Sequence, residues 1–458
     1  MLLPMSLASG EERATFDPRA FELFRFVDRE LDEAGHVRLR YALDDEIEFV
    51  EEFDLPVEEG AEARHAEGLL SLLHWVAGVS YFKTAVPERI GCESGDPPPA
   101  TAELLEALYS EGLGEFAYTN GLPGLPKAVF PRGPARERSV GARPDAPRRV
   151  LVPVGGGKDS AVAIEVVRRS GCETALFSVG DAPPIMRTAA VAGLPHLVAR
   201  RRIDPRLVAL NRAGALNGHV PVTAIVSCAA VLTAALDGFD AVALANERSA
   251  SSGNLTWAGT TINHQFSKSS RAERLLRAAV AELAPGLDVF SVLRPASELA
   301  IARAFARMTP YHGAFTSCNA VFRLDPVERR SSWCGDCHKC RFVFLVLAPF
   351  SEPAHLREIF GRDLLDDEEQ FEGFALLTAT GGHKPFECVG EEQESLAAIR
   401  MLAHDPRWRD HRVVRRLAAE VLPLHAEDAE RVDDLLALSD DHAVPELLLA
   451  QIRAVLGS

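Results

Sequence analysis

From Arg148 onward, short apolar runs alternate with longer stretches whose apolar positions recur at three- and four-residue spacing. The runs predict strands at 150–154, 174–179, 196–203, 241–245 and 289–293, and the periodic stretches predict helices at 160–169, 185–192, 222–236 and 271–283. Such alternation implies an α/β fold built on a doubly wound parallel sheet. Sheets of this kind bind ligands beyond the carboxyl ends of their strands, so the chemistry is expected in the loops that follow them.

The flanks read differently. Before residue 130, positions 37–43 and 47–53 alternate like two strands around Asp44-Asp45, while 66–86 and 102–111 carry helical spacing, which predicts a separate α+β unit over 1–130. Residues 131–147, rich in Pro, Gly and Arg, read as a linker to a domain over 148–350. After Pro349 a mainly helical region is expected over 351–458, with 408–422 and 426–438 as its clearest helices. No internal repeat stands out.

Composition narrows the class. The 458 residues are 47% hydrophobic and 25% charged, as in ordinary globular proteins of two or three domains. No apolar run approaches the roughly 18 residues needed to span a bilayer. The start, Met1-Leu2-Leu3-Pro4-Met5, lacks a signal-peptide pattern, and a cytoplasmic protein is expected. A formal net charge of -17 argues against broad nucleic-acid binding. Arg200-Arg201-Arg202, with Arg206 and Arg212, is either a local anion patch or a solvated strand end. The chain prefers Arg so strongly that its only lysines are Lys83, Lys127, Lys158, Lys268, Lys339 and Lys384. Four of these fall in the motifs below, and a compact ammonium is not interchangeable with a guanidinium at a phosphate.

The most informative motif is Gly155-Gly156-Gly157-Lys158-Asp159-Ser160, between a strand and a helix start. Glycines let backbone N–H groups face an anion, the helix N-terminus adds partial positive charge, and Ser160 is suited to cap the helix or donate to phosphate. Asp159 breaks the Walker pattern, and the dinucleotide fingerprint lacks its third glycine. A second polar cluster follows the strand at 241–245: Asn246, Glu247, Arg248 and Asn254, then Asn263, His264, Gln265, Ser267 and Lys268. Its density of hydrogen-bonding groups predicts a site for a polar, anionic substrate.

Cys334, Cys337 and Cys340, with Cys318 upstream, suit a tetrahedral zinc site. A ferredoxin-type iron–sulfur cluster would need its fourth Cys where Phe344 stands; buried unligated thiols and replacement of Cys318 by His338 are the other readings. Finally, the loop 381–390 holds His383, Lys384, Glu387 and Cys388, all capable of proton transfer. It reads as a lid over the glycine loop or as an interdomain turn.

The glycine loop resembles the Ser-Gly-Gly-x-Asp-Ser loop of the N-type ATP pyrophosphatases, with Gly155 in place of the first Ser. The resemblance implies the HUP/PP-loop fold and cleavage of ATP to AMP and pyrophosphate. Two families within that group have comparable parts. The 7-cyano-7-deazaguanine synthases share a cysteine cluster but are much shorter. The UDP-N-acetyl-α-D-muramoyl-L-alanyl-L-glutamate epimerases have about this length, and the loop 155–160, the segment 263–269 and the run 383–390 look similar to theirs.

The second resemblance implies ATP- and magnesium-dependent inversion of the terminal L-Glu of a UDP-linked muramoyl dipeptide through an acyl-adenylate. On this reading residues 155–160 hold pyrophosphate, Asp159 helps to place magnesium, and Lys268 neutralises a phosphate or the γ-carboxylate. His264, His383, Lys384 and Cys388 are the candidates for acid and base, with no pair singled out. An RNA-thiolating enzyme and an ATP-binding regulator without turnover are the remaining alternatives.

Overall fold

The computed structural model describes residues 16–57, 66–135, 147–323, 327, 329–426 and 432–457. Most of the expected linker, part of the helix expected at 426–438 and the N-terminal start lie outside these residues. The principal strands are β1 Leu23–Leu31, β2 His36–Leu43, β3 Ile47–Asp54, β4 Arg89–Cys92, β5 Arg149–Pro153, β6 Glu173–Val179, β7 His196–Arg202, β8 Ala241–Leu244, β9 Leu255–Trp257, β10 Thr260–Ile262 and β11 Asp288–Ser291. Nine form one sheet in the order β11-β8-β5-β6-β7-β3-β2-β1-β4, while β9 and β10 make a small hairpin.

The five strands from β11 to β7 are parallel. Their order reverses direction between β5 and β8, the doubly wound arrangement anticipated from the alternating pattern. Successive side chains of a strand point to opposite faces, and both faces are covered. Thus Val150 and Val152 join a core with the helices Lys158–Arg169, Glu298–Phe305 and His338–Leu347, while Leu151 joins one with Ala66–Ala77, Val222–Leu236 and Ser270–Leu283.

The N-terminal strands do not form a sheet of their own. β3 pairs antiparallel with β7, matching Glu52 to Arg202 and Asp54 to Arg200. Arg202 then bonds Glu52 at 3.0 Å and Asp54 at 2.6 Å, and Arg206 bonds Asp204 at 2.5 Å. These members of the basic run are therefore partners in strand pairing and capping, and the strand-end reading holds for them.

At the other end, the C-terminal helix Glu446–Leu456 packs on Lys158–Arg169, and Arg303 donates to the Leu456 carbonyl at 2.6 Å. The helix expected over 408–422 begins later. Asp405-Pro406 makes a turn, Trp408 is buried with its indole N–H on the Ser351 carbonyl at 3.2 Å, and regular helix starts at Arg412. Among the described residues no helix is long and apolar enough to cross a membrane.

Candidate active site

The glycine loop lies at the carboxyl end of β5, where the strand order switches. Gly156 has φ +80°, and a Cβ there would stand 2.7 Å from the Pro184 carbonyl carbon. A Cβ on Gly157 would stand 2.6 Å from Ser317 Oγ, which a turn of that hydroxyl would relieve, so it is Gly156 that backbone approach and positive φ require. The Thr316 N–H donates to the Gly156 carbonyl at 2.9 Å. The helix starts at Lys158 with Gly157 as its cap, which places Ser160 inside the first turn instead of at the cap. Its hydroxyl accepts from the Gly155 N–H at 2.9 Å and so closes the loop.

Beside this loop three carboxylates converge. Oxygens of Asp159, Glu247 and Glu298 all lie within 4.8 Å of one another. Glu247 follows β8, and Glu298 opens a helix capped by Ser297, whose hydroxyl accepts from the Ala300 N–H at 3.0 Å. The buried Lys158 ammonium pairs with Asp159 and Glu298 and does not face an empty loop.

Burial drives the Asp159 carboxyl up, but Lys158 and Lys339 outweigh it and hold it below its ordinary value. Burial and the neighbouring Asp159 push Glu298 up to about 7, and burial also raises Glu247. Three carboxylates packed this closely, two of them pushed up by burial and by Asp159, form a donor set suited to a hard divalent cation. Arg294 supports the group from behind: it bonds Glu273 at 2.9 Å, the Lys268 carbonyl at 2.6 Å and the Glu247 carbonyl.

The loop 381–390 docks on the polar segment after β8. Asn254 donates to the Pro385 carbonyl at 2.7 Å, Gln265 to the Val389 carbonyl at 3.0 Å and Asn319 to Glu387 at 2.5 Å, while Lys339 bonds the Cys388 carbonyl. This clamp brings the Cys388 sulfur to 3.5 Å from Lys268 Nζ and beside the His264 ring. His264 is anchored in turn by Glu115.

Burial would raise the Cys388 thiol; Lys268, His264 and Lys339 overcome it and bring the thiol down to about 5. Burial would likewise lower His264, and Cys388 with Glu115 raises it to about 9. A thiolate–imidazolium pair results.

The other residues marked by the sequence divide. Asn254, Asn263 and Gln265 spend their amides on loop contacts, Asn263 donating to the Ala250 carbonyl at 2.9 Å. Arg248 turns away to the carbonyls of Leu435 and Ala437, at 3.3 and 3.4 Å. Asn246 and Ser267 line a small cavity against Glu273. His383 is exposed and bonds the Lys384 carbonyl at 2.9 Å. Lys384 is buried, and its ammonium has no hydrogen-bond partner among the described residues.

Glu298, Arg294 and Glu115 were absent from the sequence reading, and no local motif marks them. Lys339 did carry a signal, as one of only six lysines.

The thiols of Cys318, Cys334, Cys337 and Cys340 cluster with all sulfurs within 4.8 Å, including 3.4 Å between Cys337 and Cys340 and 3.6 Å between Cys334 and Cys340. These spacings suit a tetrahedral tetrathiolate, with Cys318 as the fourth member and no need of His338. Thr316 and Ser317, against the glycine loop, lead directly into Cys318, and Lys339 lies between two of the thiols.

Comparison with known proteins bears on this whole arrangement. Residues 15–292 match the model of the MurL N-terminal domain, and residues 314–432 match that of the MurL C-terminal domain. The chain belongs to the MurL family. Among its relatives are proteins named UDP-N-acetyl-alpha-D-muramoyl-L-alanyl-L-glutamate epimerase. The one from Micromonospora sp. is 46% identical, covering 93% of this chain and 97% of the relative. That of Salinispora tropica is 47% identical over 87% and 89% of the two chains, and that of Xanthomonas oryzae pv. oryzae is 42% identical over 96% and 99%.

The site draws on both MurL segments: the glycine loop, Glu247, His264 and Lys268 lie in the first, and the thiol cluster, Lys384 and Cys388 in the second. Glu298 and Arg294 come from the stretch between them.

Proposed function

We propose that this chain inverts the terminal L-Glu of UDP-N-acetylmuramoyl-L-Ala-L-Glu to D-Glu, using ATP to adenylate the glutamate α-carboxylate on a PP-loop-type site. The observation that carries this reading is the joining of the glycine loop and its three carboxylates, through Lys268, to a second set of proton-transfer groups. Family membership supports the same substrate, since the relatives' names specify it.

The chemistry explains why both halves are needed. The glutamate nitrogen is acylated, so a Schiff base cannot form, and an ionised carboxylate resists loss of the α-proton. Adenylation removes that charge and lets the carbonyl stabilise an enolate. Gly156 and Gly157 present backbone N–H groups to the departing pyrophosphate, and Lys268 offers its ammonium to phosphate or carboxylate oxygens. Magnesium held by Asp159, Glu247 and Glu298 would neutralise phosphate charge. The orphaned Lys384 ammonium suits a second anionic group of the substrate. The four clustered thiols serve, on this proposal, as a structural zinc site.

Incubation with ATP, magnesium and UDP-N-acetylmuramoyl-L-Ala-L-Glu in deuterium oxide tests the reading. The expected products are AMP, pyrophosphate and D-Glu with deuterium at the α-carbon. Intact ATP together with unlabelled L-Glu would sink it.

A further inference from the structure

We propose that Cys388 is the base that removes the α-proton of the activated glutamate, with Lys268 and His264 holding its sulfur in place. The assignment rests on the adenylation reading above and names a residue for its second half.

Three observations meet at this sulfur. It lies 3.5 Å from Lys268 Nζ and beside the His264 ring, which Glu115 anchors. The loop that carries it is clamped on both sides, through the carbonyls of Pro385, Cys388 and Val389. Lys268, which contacts it, also faces Glu247, Asp159 and Glu298, so the sulfur borders the place where the adenylate would form.

The competing groups have other surroundings. His383 is exposed, and its ring is committed to a backbone carbonyl. Burial lowers the Lys384 amine while Glu392, Glu391, Glu394 and Glu247 oppose it, and among the described residues its nitrogen has no hydrogen-bond partner to aim it. Cys92 and Cys228 show what burial alone does to a thiol in this chain: each is pushed up, Cys92 to about 12. Cations beside a thiol favour the thiolate, the form that acts as nucleophile or base.

In the step itself the Cα–H bond breaks and the S–H bond forms. The electron pair moves onto the carbonyl oxygen of the acyl-adenylate to give the enolate. A proton from solvent then adds to the opposite face of Cα as the carbonyl re-forms, the thiol returns its proton to solvent, and water cleaves the inverted acyl-adenylate to D-Glu and AMP; no oxidant or reductant is consumed.

The test separates the two half-reactions. Cys388→Ala is expected to retain ATP–pyrophosphate exchange that depends on the dipeptide substrate, while α-deuterium incorporation and D-Glu formation fall about 10²- to 10⁴-fold. A variant that epimerises like the wild type overturns the assignment, as does a folded variant that loses both half-reactions together. A second measurement is independent of the variant's folding: iodoacetamide at pH 6 should alkylate Cys388 of the wild type rapidly, abolishing deuterium incorporation and sparing pyrophosphate exchange. Alkylation at the rate of an ordinary thiol overturns the proposal. Wild-type protein that exchanges its α-proton without pyrophosphate exchange would sink the adenylation reading and leave the thiol assignment standing.

Discussion

Glu298 and Cys388 show opposite outcomes of burial. Burial pushes both toward their neutral forms, but Glu298 has acidic neighbours in Asp159 and Glu247, whereas Cys388 has cationic ones in Lys268, His264 and Lys339. The first rises to about 7 and the second falls to about 5. The pair of Cys388 with His264 then predicts a pH profile. Below about 5 the thiolate is protonated, and above about 9 the imidazolium beside it is lost. Deuterium exchange at the α-carbon, followed against pH at saturating ATP, should therefore plateau between these limits and decline on both sides. His264→Gln should remove the alkaline limb, because Gln has no proton to lose there.

At the scale of elements, the loops do the positioning. The thiol cluster ties the segment 316–318, which backs the glycine loop, to the helix His338–Leu347, whose Lys339 reaches the Cys388 carbonyl. Cys334→Ser should therefore lower zinc content from one equivalent, measured by atomic emission, and lower the melting temperature as well. An unchanged metal content would refute the zinc proposal. The five parallel strands and four of the helices from 148 to 293 were legible because each is apolar at its own period and bounded by polar loops, whereas the helix Pro205–Ala213 and the short hairpin β9–β10 were not anticipated. β1 was not: its register shifts between Phe26 and Asp28, which interrupts the alternation a strand is known by. β4, at four residues on the sheet edge, is too short to show a period. In the site, the glycine loop and the residue types of 381–390 were visible as local composition. Glu298 and Glu115 were not, because they meet Asp159 and His264 only through the topology of the sheet.

Across the whole molecule, one sheet runs through regions that the sequence divides. β7 is flanked by β6 on one side and by β3 on the other, and Arg202 ties that seam to Glu52 and Asp54. Residues 148–458 produced alone would leave β7 as an unpaired edge, which predicts an aggregating or oligomeric product. Size-exclusion chromatography of that fragment checks it, and a well-behaved monomer would contradict it.

The clamped loop at 381–390 also sets an order in time. During synthesis the glycine loop, Glu247, His264, Lys268 and Glu298 have all been made before Cys388 is added. A message broken before codon 381 would lack not only the thiol but also the helices Glu392–His404 and Glu446–Leu456, which share the core that holds the glycine-loop helix. A truncated product is therefore expected to behave as the absence of the protein and not as half a site.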